Sequence, residues 1–424
     1  MSAPLTADQA RRRLLLLSAT RWLPVGLSFG LTTLIPLQRG LDLASVATIL
    51  SVQGFVVLAL ELPTGGLADT LGRRPLLVLA AVLAVAAGVV VLLATGFWGF
   101  LAGYVVQGVF RALDSGPLEA WYVDTAQADD PEVAVEQALS RAASVLGFAI
   151  AGGAAVSGLL VAWHPFVRSS ALLLPLAVAT GLYAVHALLA AVLLHEPPRR
   201  RARAHPGRPV GGLVAAVTDG VRLLRHAPVL RALVLVEVFW SVGSIGVETF
   251  TPVRLAELVG GENRAGTLFG PAAAAGWALF ALGSALGGRA ARRFGVAWTA
   301  VAARLAHGAF VVLLGLAAGP VGLVAAFWLA YLIHGSAGPV HSTLLHRQAR
   351  AANRATVLSI NSMVAGGAYS VGLLVLGPLA THTSTGLAVV VAGAFSLVGA
   401  LLYRPAVRQE RAGTHVPEPT AALP

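Results

Sequence analysis

Residues 65–74 read GGLADTLGRR, and they separate two long apolar runs, one ending near residue 68 and the next beginning at Pro75. The stretch carries Asp69, Arg73 and Arg74 in a chain that is only 12% charged. It is not a phosphate cradle of the G-x-x-x-x-G-K type, because the chain has no Lys. Charge confined to a short connector between apolar stretches is the pattern that a lipid solvent imposes.

The composition agrees. Of 424 residues, 57% are hydrophobic, whereas soluble domains carry roughly a quarter of their residues as charges. This is the composition of a multi-span membrane protein without room for a large soluble domain. Cysteine is absent, which excludes disulfides, thiolate metal sites and Cys nucleophiles. All 30 basic residues are Arg, and the net charge is +11. The arginines cluster in short connectors, as in cytoplasmic loops, and not in a nucleic-acid-binding surface. Arg11, Arg12 and Arg13 precede an apolar run with no small-residue cleavage site, so the first span is expected to stay uncleaved.

A crossing helix needs about 20 apolar residues. Twelve such runs are expected, at 14–37, 44–68, 75–95, 97–120, 139–162, 168–194, 228–252, 265–288, 296–317, 320–344, 354–379 and 384–403, and are called spans one to twelve below. With both termini in the cytoplasm, 23 of the 30 arginines fall on the inner side, four outside and three within spans. The expected organisation is an all-α integral membrane protein of two pseudo-symmetric six-helix bundles. They comprise 1–194 and 228–404, joined by a cytoplasmic linker at 195–227 and followed by a disordered tail at 405–424. The linker puts Leu213, Val217, Val221 and Leu224 on one helical face, which predicts an amphipathic helix at the cytoplasmic surface.

The two halves repeat. GGLADTLG (65–72) aligns with GRAARRFG (288–295) and SGPLEA (115–120) with AGPVHS (337–342). GGAAVSGLLV (152–161) matches GGAYSVGLLV (366–375) at seven of ten positions. Ser28, Gly30, Thr33 and Pro36 align with Ser244, Gly246, Thr249 and Pro252, an offset of 216.

Two six-helix halves and a G-x-L-A-D-x-x-G-R-R loop between spans two and three resemble the major facilitator superfamily, over residues 14 to 403. Gly65, Leu67, Ala68, Asp69, Gly72, Arg73 and Arg74 carry the loop motif. The resemblance implies a central cavity, alternating access and no ATP hydrolysis. Within the family the chain looks like the twelve-span drug and metabolite exporters. It departs from them in span four, where YVVQG has Tyr104 in place of Arg, and in span five, where FAIAGG lacks the Gly-Pro pair.

Gly65, Asp69, Gly72, Arg73 and Arg74, with Glu119 and Asp124 as partners for Arg73, are expected to form a cytoplasmic gate. Intramembrane charge costs roughly 2.5–3.5 kcal/mol per residue on insertion scales, so residues accepted there usually work there. From the helical rise, Glu61, Arg21, Arg111, Glu237 and Arg304 lie roughly 10–13 Å from the cytoplasmic face, with Asp114 slightly shallower. Glu61, Asp114 and Glu237 are the proton-coupling candidates, and Arg21, Arg111 and Arg304 their charge partners. Trp22, Tyr104, Trp240, Glu248, His334 and Tyr369 are candidates for a substrate cavity. His186 and His307 are expected to be satisfied helix residues. Ala154/Gly158 and Ala368/Gly372 have the spacing of close helix crossings.

Two enzyme-like motifs fail. GLSFG (26–30) lies in a continuous apolar run, and HSTLLH (341–346) places its histidines five apart with no third metal ligand. No cofactor and no metal are expected. The expected function is proton-coupled efflux of a small apolar or cationic compound by a monomer in the bacterial inner membrane. The alternatives are uptake or facilitated diffusion of a polar metabolite, and a non-transporting sensor.

Overall fold

The computed structural model describes residues 5–166, 168–195, 222, 224–349 and 353–413, with the backbone alone of 62–70 and 355. The described residues are helical, with no strand among them. Eleven of the helices are long and apolar enough to cross a membrane. The remaining expected span, span four, is helical over Phe97–Leu113, breaks at Asp114–Gly116 and resumes as Pro117–Asp129, which is why it falls short in length. The break has a local cause. Gly116 takes φ +93°, and Pro117 opens the next helix at the position where its missing N–H costs nothing. The repeat partners Gly338 and Pro339 instead lie inside one unbroken helix, Pro320–Gln348.

Elsewhere the repeat is visible in the backbone. Arg73–Leu93 and Val296–Leu316 are both 21 residues long. They are preceded by Gly72 (φ +99°, ψ 157°) and Gly295 (φ +87°, ψ 154°), a conformation open essentially to glycine alone. Val135–Trp163 and Arg354–His382 are both 29 residues long. Span one breaks between Ala7–Ser28 and Leu31–Gln38 at Gly30. Its counterpart in span seven, Gly246, opens a π-helical turn, Gly246–Phe250, between Pro228–Ile245 and Thr251–Val259.

The chain forms two compact units. One contains the first-half helices together with Pro252–Ala278 and Leu373–His382. Those two segments hold the end of span seven, the start of span eight and the end of span eleven. Within this unit Gln38 Nε2 donates to Asn263 Oδ1 at 2.9 Å and the Ala44 amide to Thr381 Oγ1 at 2.9 Å. The Phe29 and Phe269 rings stack at 5.8 Å. Gly158 meets the helix Glu262–Phe294 backbone to backbone: a Cβ there would stand 2.9 Å from the Thr267 carbonyl oxygen. The close crossing expected at Ala154/Gly158 is therefore present, and Gly372 packs likewise on Val242 and Ile245 in the other unit.

The other unit is built around a core of Leu230, Leu233, Ala300, Leu344 and Tyr403. The disordered tail expected at 405–424 is corrected over its first residues, because Arg404–Arg411 is a helix with Ala406 and Val407 buried on that core. Its Glu410 accepts from the amides of Val296 (3.0 Å) and Ala297 (2.8 Å), at the N-terminus of Val296–Leu316. Arg347 donates to the same carboxylate at 2.9 Å. The linker's predicted amphipathic face lies outside the described residues except for Leu224, which packs against this core.

Candidate functional site

Glu237 is the acid in the helix Pro228–Ile245, and it is 7% exposed. Its Oε1 lies 2.9 Å from His341 Nε2 and 3.5 Å from Arg304 Nη2. Arg304 Nε donates to the Tyr403 hydroxyl at 3.1 Å, and the same hydroxyl lies 2.7 Å from His341 Nδ1. These contacts fix the neutral imidazole's tautomer. Tyr403 accepts from Arg304 and donates to Nδ1, so Nε2 carries the proton and donates to Glu237. Asn361 closes the group through its Oδ1, 3.3 Å from His341 Nε2. The network joins spans seven, nine, ten, eleven and twelve.

Above the network the Arg304 guanidinium lies 3.7 Å from the centre of the Trp240 ring. Trp240 in turn contacts His307 at 4.1 Å and His334 at 4.6 Å. Arg304 Nη1 and both ring nitrogens of His307 are buried without a hydrogen-bond partner among the described residues. This corrects the expectation for His307, which is an unsatisfied imidazole packed among aromatic rings. His186 is satisfied as expected, its Nδ1 lying 2.9 Å from Thr20 Oγ1.

In the first half Arg21 Nε bonds the Asp114 carboxylate, and its guanidinium lies 4.0 Å from the centre of the Trp22 ring. Asp114 caps the broken end of Phe97–Leu113 and is 5% exposed. The offset of 216 that aligns spans one and seven places Arg21 at the position of Glu237. The halves therefore carry opposite charges at one repeat position. That signal was present in the sequence, but it did not reveal His341, whose partner is remote in the chain.

Other expected residues divide. Arg111 is exposed rather than paired with a buried acid: it lies within the last turn of its helix, where a long guanidinium reaches outward. Glu61 is half-buried on the helix Leu43–Leu71. Arg73 pairs with Asp124 at 2.5 Å and also bonds the Ala120 carbonyl, while Glu119 is exposed and not its partner. Both partners belong to the first half, so the pair ties span three to the segment after span four. Arg74 donates to the Ala191 carbonyl at 2.8 Å. Gly72 turns the chain as described, and the side chains at Gly65 and Asp69 lie outside the described residues.

Tyr104 is 2% exposed, and its hydroxyl donates to the Thr32 carbonyl at 2.7 Å. Pro36 explains that bond, because it has no N–H to offer the carbonyl four residues before it. Tyr369 shares a 2.6 Å hydrogen bond with Thr249, and Glu248 lies exposed in the π-helical turn. Among the described residues no cluster could hold a metal ion.

Helices of membrane-crossing length, duplicated in their backbone and carrying a buried ion pair in each half, are those of a polytopic membrane protein. The family model of the Major Facilitator Superfamily matches residues 14–281, and the chain belongs to that family. Its fold is similar to that of nucleoside transporter NupG, with TM-score 0.77, 13% identity, and coverage of 94% of this chain and 99% of that one. It is equally similar to a bacterial homologue of the human lysosomal transporter Spinster in an inward-facing, unoccupied conformation, with TM-score 0.77, 14% identity, and coverage of 98% and 100%. A POT family transporter in complex with 5-aminolevulinic acid gives TM-score 0.67 at 14% identity, with coverage of 96% of each chain. No curated protein matches the chain significantly. Family and fold are those of a transporter of small molecules, not of an enzyme.

Proposed function

We propose that the chain is a proton-coupled secondary transporter that works by alternating access and exports a small compound across the cytoplasmic membrane as a monomer, with both termini inside. The observation that carries the coupling is the Glu237–His341 contact at 2.9 Å, buried beside Arg304. Glu237 faces an imidazole, whose ring nitrogens can both accept and donate a proton. Asp114 faces Arg21, and a guanidinium keeps its charge at any physiological pH. Protonation of the Glu237–His341 pair weakens the hold on Arg304. One pKa unit is about 1.4 kcal/mol, so a difference of a few units between two conformations is enough to invert their populations.

A second reading, uptake of a polar metabolite, is favoured by the likeness to a nucleoside transporter. Reconstituted vesicles with an imposed proton gradient separate the two. Gradient-driven movement of an apolar cation such as ethidium from the cytoplasmic side supports export. Accumulation of a nucleoside such as uridine, with protons in symport, supports uptake. Glu237→Gln abolishes gradient dependence under either; gradient-driven flux retained in that variant would remove the coupling role.

A further inference from the structure

The two halves use their terminal arginines differently. In the first half Arg11 pairs with Asp8 at 3.0 Å, and Arg13 bonds the Leu193 carbonyl. Arg73 is held by Asp124 and the Ala120 carbonyl, and Arg74 by the Ala191 carbonyl. In the second half the helix Arg404–Arg411 spaces Arg404, Arg408 and Arg411 by four and three residues, which puts them on one helical face. All three are exposed, and none pairs with a carboxylate among the described residues. The helix's own acid, Glu410, is already taken by the Val296 and Ala297 amides and by Arg347. The sequence beyond offers little: residues 199–221 hold five arginines and one acid, Asp219, and residues 414–424 one acid, Glu418. Like charges one turn apart repel, so this face is completed by an anion from outside the chain.

What lies beside the arginines decides which anion fits. The Arg411 guanidinium lies 5.2 Å from the centre of the Trp298 ring, and that ring is 45% exposed. Trp298 stands in the first turn of span nine, where the apolar length begins. Seven residues on, two turns along the same face, Leu305 is also exposed. Leu401 is exposed on span twelve, three residues before Arg404. Spans nine and twelve pack directly on one another: a Cβ at Gly308 would stand 2.8 Å from Leu397 Cδ2 and 3.1 Å from the Gly393 carbonyl oxygen. A cationic rim thus borders an apolar flank, with an aromatic ring at the junction. A phospholipid matches that order. Guanidiniums bind phosphate oxygens, indole rings settle at headgroup level, and acyl chains cover exposed leucines. A free phosphate or an acidic peptide would use the rim and leave the flank uncovered.

We propose that Arg404, Arg408 and Arg411, with Trp298, bind the headgroup of an anionic phospholipid whose acyl chains lie along spans nine and twelve. The bound phosphate neutralises the rim and ties the C-terminal helix to the start of span nine. The proposal rests on the membrane-spanning fold alone. It is independent of the coupling group at Glu237, of the compound carried and of the direction of transport.

The test is native mass spectrometry of the full chain released from mixed micelles. They hold phosphatidylglycerol and phosphatidylcholine in equal amounts, with matched acyl chains. The chain is expected to retain phosphatidylglycerol over phosphatidylcholine by about tenfold or more. A guanidinium near a membrane surface is worth about fivefold in binding anionic lipid. Arg408→Gln is therefore expected to lower the preference about fivefold, and Arg404→Gln, Arg408→Gln and Arg411→Gln together to abolish it. The three side chains are exposed, so the unfolding midpoint in phosphatidylcholine alone is expected to match the parent's. Removing the same charge from the first half, with Arg11→Gln, Arg12→Gln and Arg141→Gln, is expected to change the preference by less than about twofold. Equal losses in the two triple variants would reduce the effect to overall charge and overturn the site. Displacement of the lipid by millimolar inorganic phosphate would overturn it too, in favour of a soluble anion. A several-fold rise in lipid retention on deleting residues 414–424 would make the chain's own tail the occupant instead.

Discussion

Two buried carboxylates, Asp114 and Glu237, differ chiefly in what faces them. Arg21 gives Asp114 a partner of fixed charge, and removal of one member of a buried pair strands the other, at about 3–5 kcal/mol. We expect Arg21→Met to lower the unfolding midpoint in detergent strongly, and Arg21→Met with Asp114→Leu to recover most of the loss. A double variant as unstable as the single one would show that the pair does not act as a unit. Asp42 behaves differently, at the exposed start of the helix Leu43–Leu71. Hydrogen bonds from the Ser45 hydroxyl and amide, the latter at 2.8 Å, hold its carboxyl below the usual carboxylate range. A depressed carboxylate stabilises the fold above its unfolded pKa and loses that contribution as pH falls through the folded one. Asp42→Asn is thus expected to lower the midpoint modestly at pH 7 and to match the parent once the pH is below both values. These charges were legible as intramembrane residues from the sequence. The role of His341 was not, because its spacing from His346 suggested only a failed metal motif, and nothing local connects it to Glu237.

At the scale of the element, prolines and glycines decide where helices break and what repairs them. The Tyr104–Thr32 bond exists because Pro36 leaves a carbonyl without its donor. Tyr104→Phe is expected to cost about 1–3 kcal/mol in thermal unfolding, as an unsatisfied buried polar group does. Pro36→Ala in the same chain restores an N–H and should remove most of that cost; equal losses with and without Pro36 would refute the account. Gly295→Ala forces a side chain into a glycine-only conformation and against the Glu410 carboxylate, 2.9 Å from the new Cβ. A loss of about 1–3 kcal/mol follows. The sequence located these elements well, since hydrophobic length is a strong signal in lipid. It missed the break in span four, where Gly116 and Pro117 look the same as Gly338 and Pro339 but fold differently. It also missed the helix Arg404–Arg411, whose polar sequence is ordered by tertiary packing on Tyr403 and its neighbours.

For the whole molecule, duplication was the most informative feature of the sequence, and divergence between the copies is where function enters. Arg21 differs from Glu237 in charge, and Ala84 from His307 in polarity. Gln38 at the end of span one and Asn263 before span eight meet at 2.9 Å in one compact unit. A transporter that alternates must part them. Because the chain has no Cys, Gln38→Cys with Asn263→Cys gives a clean cross-linking pair. Transport is expected to stop on oxidation or with a short bis-thiol reagent and to return on reduction. Undiminished flux in the cross-linked protein would mean that this end does not open.

The central claim is that Glu237, facing His341, takes up and releases the coupling proton. Infrared difference spectroscopy of the reconstituted chain across a pH titration reads that event directly, through the band of a protonated carboxyl group. The account predicts a band that grows as the pH falls, disappears in Glu237→Gln and shifts its midpoint in His341→Asn. A band that persists unchanged in Glu237→Gln would contradict it.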